Sequence, residues 1–245
     1  MNQVFKILML SLFISTTAAA QQNIKLKKRD RKRDVELTTT KGVVVLRLYN
    51  ETPLHRDNFL RLVKAHYYDS VLFHRVIKNF MIQAGDPESK QAAPDVMLGN
   101  GGPNYTVPAE FVPTLFHKKG VLAAAREGDD VNPTKASSGS QFYIEEGKKF
   151  SDAGLDSLET FRLKGRKIPA AQRDVYKSIG GTPHLDQNYT VFGEVVRGLD
   201  VVDSISVVPT NSADRPIEDV RILSAKLVKR KRWRTSKLFQ ILIRK

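Results

Sequence analysis

Short runs of apolar residues, several of them alternating with polar residues, recur along the chain and predict β-strands. The clearest run is 43–49, which is rich in β-branched residues; Val44 and Leu46 share one face, and Arg47 marks the other. Similar runs predict two strands within 71–87 and further strands at 120–125, 139–144, 189–196 and 217–228.

Helical spacing is less frequent than strand spacing. Thr52 and Pro53 form a typical helix start, and the apolar residues that follow predict a helix from Pro53 to about His66. Leu199 to Val207 is predicted as a second helix, and a charged insertion carries weaker helical patterns at 155–163 and 170–179. One helix early, one late and many short strands between them predict a mainly β fold, a closed antiparallel barrel capped by helices.

Two polar residues interrupt the apolar strands of 71–87. Side chains at even spacing share a face of a strand, which predicts Phe73 and Arg75 on one face of the first strand; Gln83 lies in the second. An unpaired buried polar group is costly, so an Arg and a Gln in such strands require an explanation. We interpret them as side chains that project into a binding groove on the outer surface of the sheet.

The composition excludes several kinds of chemistry. The chain has no cysteine, which rules out disulfides and thiolate catalysis, and its five histidines lack the paired spacing of a metal site. Ser140, in Gly-Ser-Gln, does not form the nucleophile elbow of a hydrolase. No metal and no cofactor are therefore expected.

Both ends of the chain are basic. Residues 1–34 carry eight Lys/Arg and two Asp, and 226–245 carry nine Lys/Arg and no acid, so the rest of a chain with net charge +14 carries −1. A nearly neutral body between basic ends is not a nucleic-acid groove. The ends are predicted to be solvated tails, with contact between the C-terminal tail and an anionic membrane surface or an acidic partner as the alternative.

The N-terminus has the pattern of a secretory signal. Residues 1–20 combine Lys6, an apolar run and Ala18-Ala19-Ala20, which resembles a cleavage site. Export without disulfides suits a bacterial periplasm. The predicted organisation is a signal peptide at 1–20, a basic linker at 21–37, one domain at 38–228 with an insertion at 151–183, and a basic tail at 229–245.

Four short motifs follow one another along the chain. They are Phe73-His74-Arg75, Phe80-Met81-x-Gln83, Gly139-Ser140-Gln141-Phe142 and Val191-Phe192-Gly193. Together they resemble the cyclophilin family of peptidyl-prolyl cis/trans isomerases, over residues 38 to 228. The resemblance implies an eight-stranded antiparallel barrel with two capping helices and an active groove on its outer face.

The resemblance also implies roles for individual residues. Arg75 lies at the position of the family's catalytic arginine, and His74 beside it is expected to have a structural, hydrogen-bonding role. The residues at the family's substrate-binding positions are Phe80, Met81, Gln83, Ala125, Arg126, Gln141, Tyr143, His184, Leu185 and Tyr189.

Four of these positions depart from the family pattern, among them Tyr143, where a phenylalanine is usual. His184 replaces a frequent tryptophan that contributes to cyclosporin binding, Tyr189 replaces a frequent histidine, and Arg126 adds a cation at the groove edge. The arginine and the apolar pocket are retained, so the resemblance implies prolyl isomerase activity on proline-containing polypeptides, by a monomer that assists the folding of exported proteins. The alternative is a chaperone module that binds proline segments with little turnover.

Overall fold

The computed structural model describes residues 24–231. The strands are β1 (Arg33–Thr39), β2 (Gly42–Leu48), β3 (Phe73–Ile77), β4 (Met81–Ala84), β5 (Thr106–Val107), β6 (Val121–Ala124), β7 (Ser137–Ser138), β8 (Phe142–Glu145), β9 (Val191–Arg197) and β10 (Ile222–Lys229). The α-helices are α1 (Pro53–Lys64), α2 (Asp152–Phe161), α3 (Ala170–Ser178) and α4 (Leu199–Ser206). The predicted signal peptide at 1–20 and most of the basic tail lie outside the described residues.

Eight strands form one curved antiparallel sheet in the order β10-β1-β2-β9-β6-β8-β4-β3, and β5 pairs with β7 in a separate ribbon. The two edges of the large sheet approach each other, because the Phe73 N–H donates to Val220 O and the Ile222 N–H donates to Val71 O, both at 2.8 Å. No strand ladder joins β3 to β10 among the described residues. The prediction of a closed barrel was therefore wrong at this seam, although the strand number and direction are confirmed.

The concave side of the sheet holds the main hydrophobic core. Its fully buried residues include Leu37, Leu46, Leu62, Ile82, Leu122, Ile144, Val202 and Ile222. The rings of Phe59 and Phe142 meet edge-on with centroids 5.3 Å apart, so α1 is fixed to β8 by aromatic packing. Each such side chain contributes about 1.5–3 kcal/mol on full burial, and this burial holds α1 and α4 against the sheet.

The N-terminus of α1 is stabilised by a carboxylate from a distant loop. The Thr52 hydroxyl makes no capping bond, and Glu110 instead accepts from the backbone N–H groups of Leu54 at 3.1 Å and His55 at 3.0 Å. A carboxylate suits this position because the first helical N–H groups have no partner within the helix. The His55 ring, which also bonds Glu110, is buried.

One of the predicted boundaries requires correction. The linker predicted at 21–37 was wrong from Arg33 onward, because 33–39 form β1, which pairs with both β2 and β10. The described residues contain four α-helices: the two predicted capping helices, and a pair that confirms the weaker helical patterns at 155–163 and 170–179. The additional pair, α2 and α3, lies in the insertion and packs around its own buried cluster, which includes Leu155 and Tyr176. None of the described helices is long and apolar enough to cross a membrane.

A β-bulge changes which side chains of β3 face outward. Phe73 pairs with Ala84, whereas Arg75 pairs with Gln83, so His74 is the extra residue. Phe73 therefore points into the main core, while Arg75 lies on the outer face. The prediction that Phe73 and Arg75 share a face was wrong because a bulge shifts the two-residue alternation by one position.

Candidate active site

The outer face of β4, β6 and β8 carries a second, smaller apolar cluster. Its buried members are Met81, Val121, Ala123, Tyr143, Leu185 and Val191, and Phe80 and Tyr189 pack against it. Five side chains of this cluster line a cavity of about 490 Å³, which Arg75 and Gln83 also line; they are Phe80, Met81, Tyr143, Leu185 and Tyr189. The structure thus brings together most of the predicted site residues.

Arg75 stands at the rim of this cavity with its guanidinium held from two sides. Its Nη1 donates to Gln83 Oε1 at 3.5 Å, and its Nε lies 3.4 Å from Asp214 Oδ2. The side chain is 43% exposed, so the charge is solvated while its remaining donors have no partner among the described residues. The guanidinium is therefore oriented and still available to a ligand.

The orientation of Gln83 is determined by a chain of amides. The Gln141 amide nitrogen donates to the carbonyls of Gly99 and Gly101, both at 2.8 Å, so its oxygen is left to accept. Gln83 Nε2 donates to that oxygen at 3.0 Å, which turns Gln83 Oε1 toward Arg75. Gln141 was predicted to contact substrate, but it is buried and does not line the cavity; it supports Gln83.

The position of Phe80 depends on the turn that joins β3 to β4. Asn79 adopts a left-handed conformation (φ 61°), and the Phe80 carbonyl accepts hydrogen bonds from the N–H groups of Glu146 and Gly147, both at 2.9 Å. Phe80 precedes β4 and does not follow its alternation. For this reason, Phe80 and Met81 both face the cavity although they are adjacent in sequence.

A buried polar chain supports the base of the cavity. Tyr143 Oη lies 2.9 Å from His117 Nε2, His117 Nδ1 lies 3.0 Å from Asp186 Oδ1, and the Tyr176 hydroxyl donates to Asp186 Oδ2 at 2.6 Å. Because the Asp186 carboxylate accepts from His117 Nδ1–H, His117 Nε2 is free to accept from Tyr143. Burial raises the pKa of the Tyr143 hydroxyl well above its usual value, so this group is a neutral donor.

Arg126 does not provide the free cation that was predicted for the groove edge. Its side chain is 4% exposed and lies 2.7 Å from Asp129. Its guanidinium also stacks on the Tyr189 ring at 4.4 Å, so these two departures from the family pattern form one packed unit.

The backbone near the end of β6 offers a binding edge at Arg126. The Ala125 N–H donates to Gln141 O at 3.0 Å, and its carbonyl accepts from Ser138 N at 2.8 Å, so both groups are occupied. The backbone N–H and C=O of Arg126 have no hydrogen-bond partner among residues 24–231. Ala125 therefore contributes its small side chain, which lines the cavity, and Arg126 the unpaired backbone groups.

His74 lies beneath the site. Its side chain is 3% exposed, and burial lowers its pKa to about 4, so the ring is neutral at pH 7. Neither ring nitrogen has a hydrogen-bond partner in the described part of the chain. The prediction of a hydrogen-bonding role was wrong; the ring packs beneath the loop at Gly99.

His184 and Leu185 occupy one turn of 3₁₀-helix, Pro183–Leu185, but face different spaces. Leu185 lines the cavity, whereas His184 lies beyond Phe80, with the two ring centroids 6.3 Å apart. His184 therefore lies outside this cavity and borders a neighbouring groove, and its role in substrate binding stays a prediction. Burial lowers the pKa of the His184 ring to about 4.

Several residues of the site were not predicted from the sequence. Met97, which is 78% exposed, and Val96 line the cavity from the segment between β4 and β5, and Asp214 reaches Arg75 from the loop before β10. Neither loop has a hydrophobic period that would reveal its position. His117 and Asp186 were also missed, although Asp186 is next to Leu185, which was predicted to bind substrate.

Comparison with known proteins indicates the same family over the whole described domain. Residues 34–227 match the family model for cyclophilin type peptidyl-prolyl cis-trans isomerases. A putative peptidyl-prolyl cis-trans isomerase of Staphylococcus aureus (strain USA300) is 34% identical over 191 residues, which is 78% of this chain and 89% of the relative.

A second relative is much longer than this chain. A putative bifunctional phosphatase/peptidyl-prolyl cis-trans isomerase of Streptococcus pyogenes serotype M6 is 35% identical over 77% of this chain, which spans 37% of its length.

Two solved structures share the fold. A Cryptosporidium parvum cyclophilin type isomerase is 23% identical, covers 81% of this chain and 99% of its own, and superposes with a TM-score of 0.60. A structure of the same isomerase in the presence of the dipeptide Ala-Pro covers 80% of this chain and 99% of its own at 23% identity, with a TM-score of 0.59.

Proposed function

The chain belongs to the cyclophilin-type peptidyl-prolyl cis/trans isomerases, and we propose that Arg75 and the cavity beside it carry the reaction. The observation behind this assignment is a guanidinium held by Gln83 and Asp214 at the rim of an apolar cavity. Rotation of an X–Pro bond makes and breaks no covalent bond, so what it requires is stabilisation of a twisted amide.

The proposed mechanism follows from the amide's electronic structure. Resonance gives the planar amide a rotation barrier of ~18–20 kcal/mol, and twisting restores the lone pair on the prolyl nitrogen. An Arg75 N–H aimed at that lone pair binds the twisted state more strongly than the planar state, which lowers the barrier. Arg suits this role because it stays charged at every working pH and presents rigid donors.

The cavity would hold the proline ring while the preceding residue rotates. Phe80, Met81, Leu185 and the Tyr143 ring provide apolar walls, and desolvation in such a site weakens amide resonance. One N–H of the Gln83 amide is used by Gln141, which leaves the second N–H for a substrate carbonyl. The unpaired backbone groups of Arg126 would pair with the substrate backbone.

A protease-coupled assay on a proline tetrapeptide tests this assignment. Arg75→Ala should lower kcat/KM by about 10²–10³-fold, by analogy with the loss of one preorganised donor. Arg75→Lys should recover little of this loss, because an ammonium lacks the planar fork of donors.

The matched control is Arg61→Ala on α1, which should behave as the parent. Equal activity in the parent and Arg75→Ala would overturn the mechanism. The alternative of a chaperone module with little turnover would require kcat/KM to stay near zero while proline peptides still bind.

We further propose that the protein acts as a monomer on exported polypeptides in a bacterial periplasm. This rests on the signal-like pattern of 1–20 and on the absence of cysteine. N-terminal sequencing of protein recovered from a periplasmic extract should begin at Gln21, and recovery of the intact chain from the cytosol would contradict export.

The basic tail is proposed to contact an anionic membrane surface or an acidic partner weakly. Liposome co-sedimentation of the full chain, compared with a chain that ends at Lys231, tests the membrane contact. Identical sedimentation of the two chains would exclude it.

A further inference from the structure

A second hollow lies on the far side of Phe80 from the proposed proline cavity. Its volume is about 490 Å³, and we call it the insertion groove. Its lining includes Phe80, Leu158, Phe161 and His184, with Lys148 and Arg162. Because Phe80 lines both spaces, the insertion groove continues the proposed active site.

The wall formed by α2 presents an exposed aromatic ring to this groove. Phe161 ends α2 and is 80% exposed, although Leu155 and Leu158 on the same helix are buried in the insertion's own core. A large apolar side chain that remains in water beside an apolar hollow indicates a binding surface. The groove therefore favours an apolar side chain of a ligand.

The two charged side chains that line the groove, Lys148 and Arg162, are both cationic. Neither Lys148 nor Arg162 makes an ion pair with a carboxylate among residues 24–231. The carboxylates of α2 already have cationic partners: Asp152, Asp156 and Glu159 pair with Arg173, and Asp152 and Glu159 pair in addition with Lys177 and Lys167. An incoming carboxylate would thus meet two cations that have no carboxylate partner among these residues, one of which, Lys148, lies over the Phe150 ring at 5.6 Å. The groove therefore favours acidic residues next to the apolar one.

The groove is preformed. Tyr176 of the insertion donates to Asp186 at 2.6 Å, and Asp186 follows the turn that carries His184. Glu159 on α2 accepts from the backbone N–H of Ile168 at 3.0 Å and pairs with Arg173 on α3. A ligand would not have to order these walls, and the corresponding loss of binding free energy is avoided.

We propose that the insertion groove binds the segment of a substrate polypeptide that flanks the isomerised proline, and that it selects an apolar residue next to an acidic one. This proposal rests on the function proposed for the adjacent cavity. The 6.3 Å between the Phe80 and His184 ring centroids corresponds to roughly two residues of extended chain at ~3.3 Å each. The selected apolar residue is therefore placed about two to three residues from the proline.

Peptide length and sequence test the proposal. The probes are a proline tetrapeptide and nonapeptides that carry Phe-Asp two to three residues from the proline, on either side, with Ser-Ser in the same places as reference. Isothermal titration should show one Phe-Asp peptide binding about five- to tenfold more tightly than its Ser-Ser reference. Equal affinities for every peptide would overturn the proposal.

Variants locate the effect on the groove. Phe161→Ser should abolish the preference for Phe-Asp and leave turnover of the tetrapeptide unchanged. Because this side chain is exposed, the variant should fold like the parent, and circular dichroism checks this. Val207→Ser, at a residue 57% exposed outside the groove, is the matched control and should keep the preference. If Phe161→Ser and Val207→Ser show the same preference for Phe-Asp peptides, the groove does not select the substrate.

Charge reversal tests the acidic preference separately. Arg162→Glu should disfavour Phe-Asp and favour Phe-Lys in the nonapeptide, and an unchanged order of affinities would overturn this part. The proposed function fails differently, by equal tetrapeptide turnover in the parent and Arg75→Ala. Binding affinities for the nonapeptides are measured independently of turnover.

Discussion

The two faces of the large sheet use the same strands for different purposes. On the concave face, Ile82 and Ile144 are fully buried in a continuous apolar core. On the outer face, their neighbours Met81 and Tyr143 form a smaller cluster that is open on one side and is supported by hydrogen bonds. The comparison shows that the inner face provides stability, whereas the outer face keeps apolar surface available for a ligand.

The largest expected effects come from one substitution on each face, which should change stability and activity differently. Leu122→Ala on the inner face should lower the free energy of unfolding by ~2–5 kcal/mol, because it leaves a cavity in a closed core. Phe80→Ala on the outer face should lower it by ~1 kcal/mol or less but reduce kcat/KM at least tenfold. Urea denaturation and the isomerase assay measure the two effects. Similar losses of stability in both variants would contradict the comparison.

His74 lies between the faces and should make stability depend on pH. Its folded-state pKa of about 4 is below its ordinary value of 6.5, so the unfolded chain binds a proton first as the pH falls. Stability should therefore be retained above pH 6.5 and decrease by about 2–3 kcal/mol as the pH falls toward 4.

Denaturation of His74→Gln at pH 7 and pH 4.5 checks this expectation. A neutral side chain that does not titrate should show a smaller decrease in stability than the parent. His66→Asn, at an exposed histidine, is the control and should follow the parent. A parallel decrease in the parent and His74→Gln would exclude His74 as the cause.

The smallest expected effect concerns the support of the outer face. Tyr176→Phe removes the hydroxyl that donates to Asp186, and the loss of this buried hydrogen bond should cost ~1–2 kcal/mol of stability. Because Asp186 still bonds His117, which holds Tyr143, kcat/KM should fall less than about fivefold. A much larger loss of activity would show that the insertion controls the cavity directly.

Sequence patterns predicted most of the fold and the central part of the site. Apolar and β-branched runs located seven of the eight strands of the large sheet, with β1 missed, and two motifs predicted Arg75, Phe80, Met81 and Gln83 in one groove. The errors have structural causes. A bulge at His74 broke the alternation of β3, and an acidic residue 55 positions from His55 replaced the expected cap of α1.

The amino-acid sequence by itself determined most of the elements, the family and the residue types that the chemistry needs, because periodicity and motifs are local properties. The tertiary structure decided which of these residues meet. Asp214 reaches Arg75, Met97 overhangs the cavity, and His184 turns away from it through contacts between segments that are distant along the chain. Such contacts depend on how loops cross the sheet, and no spacing within one segment encodes them.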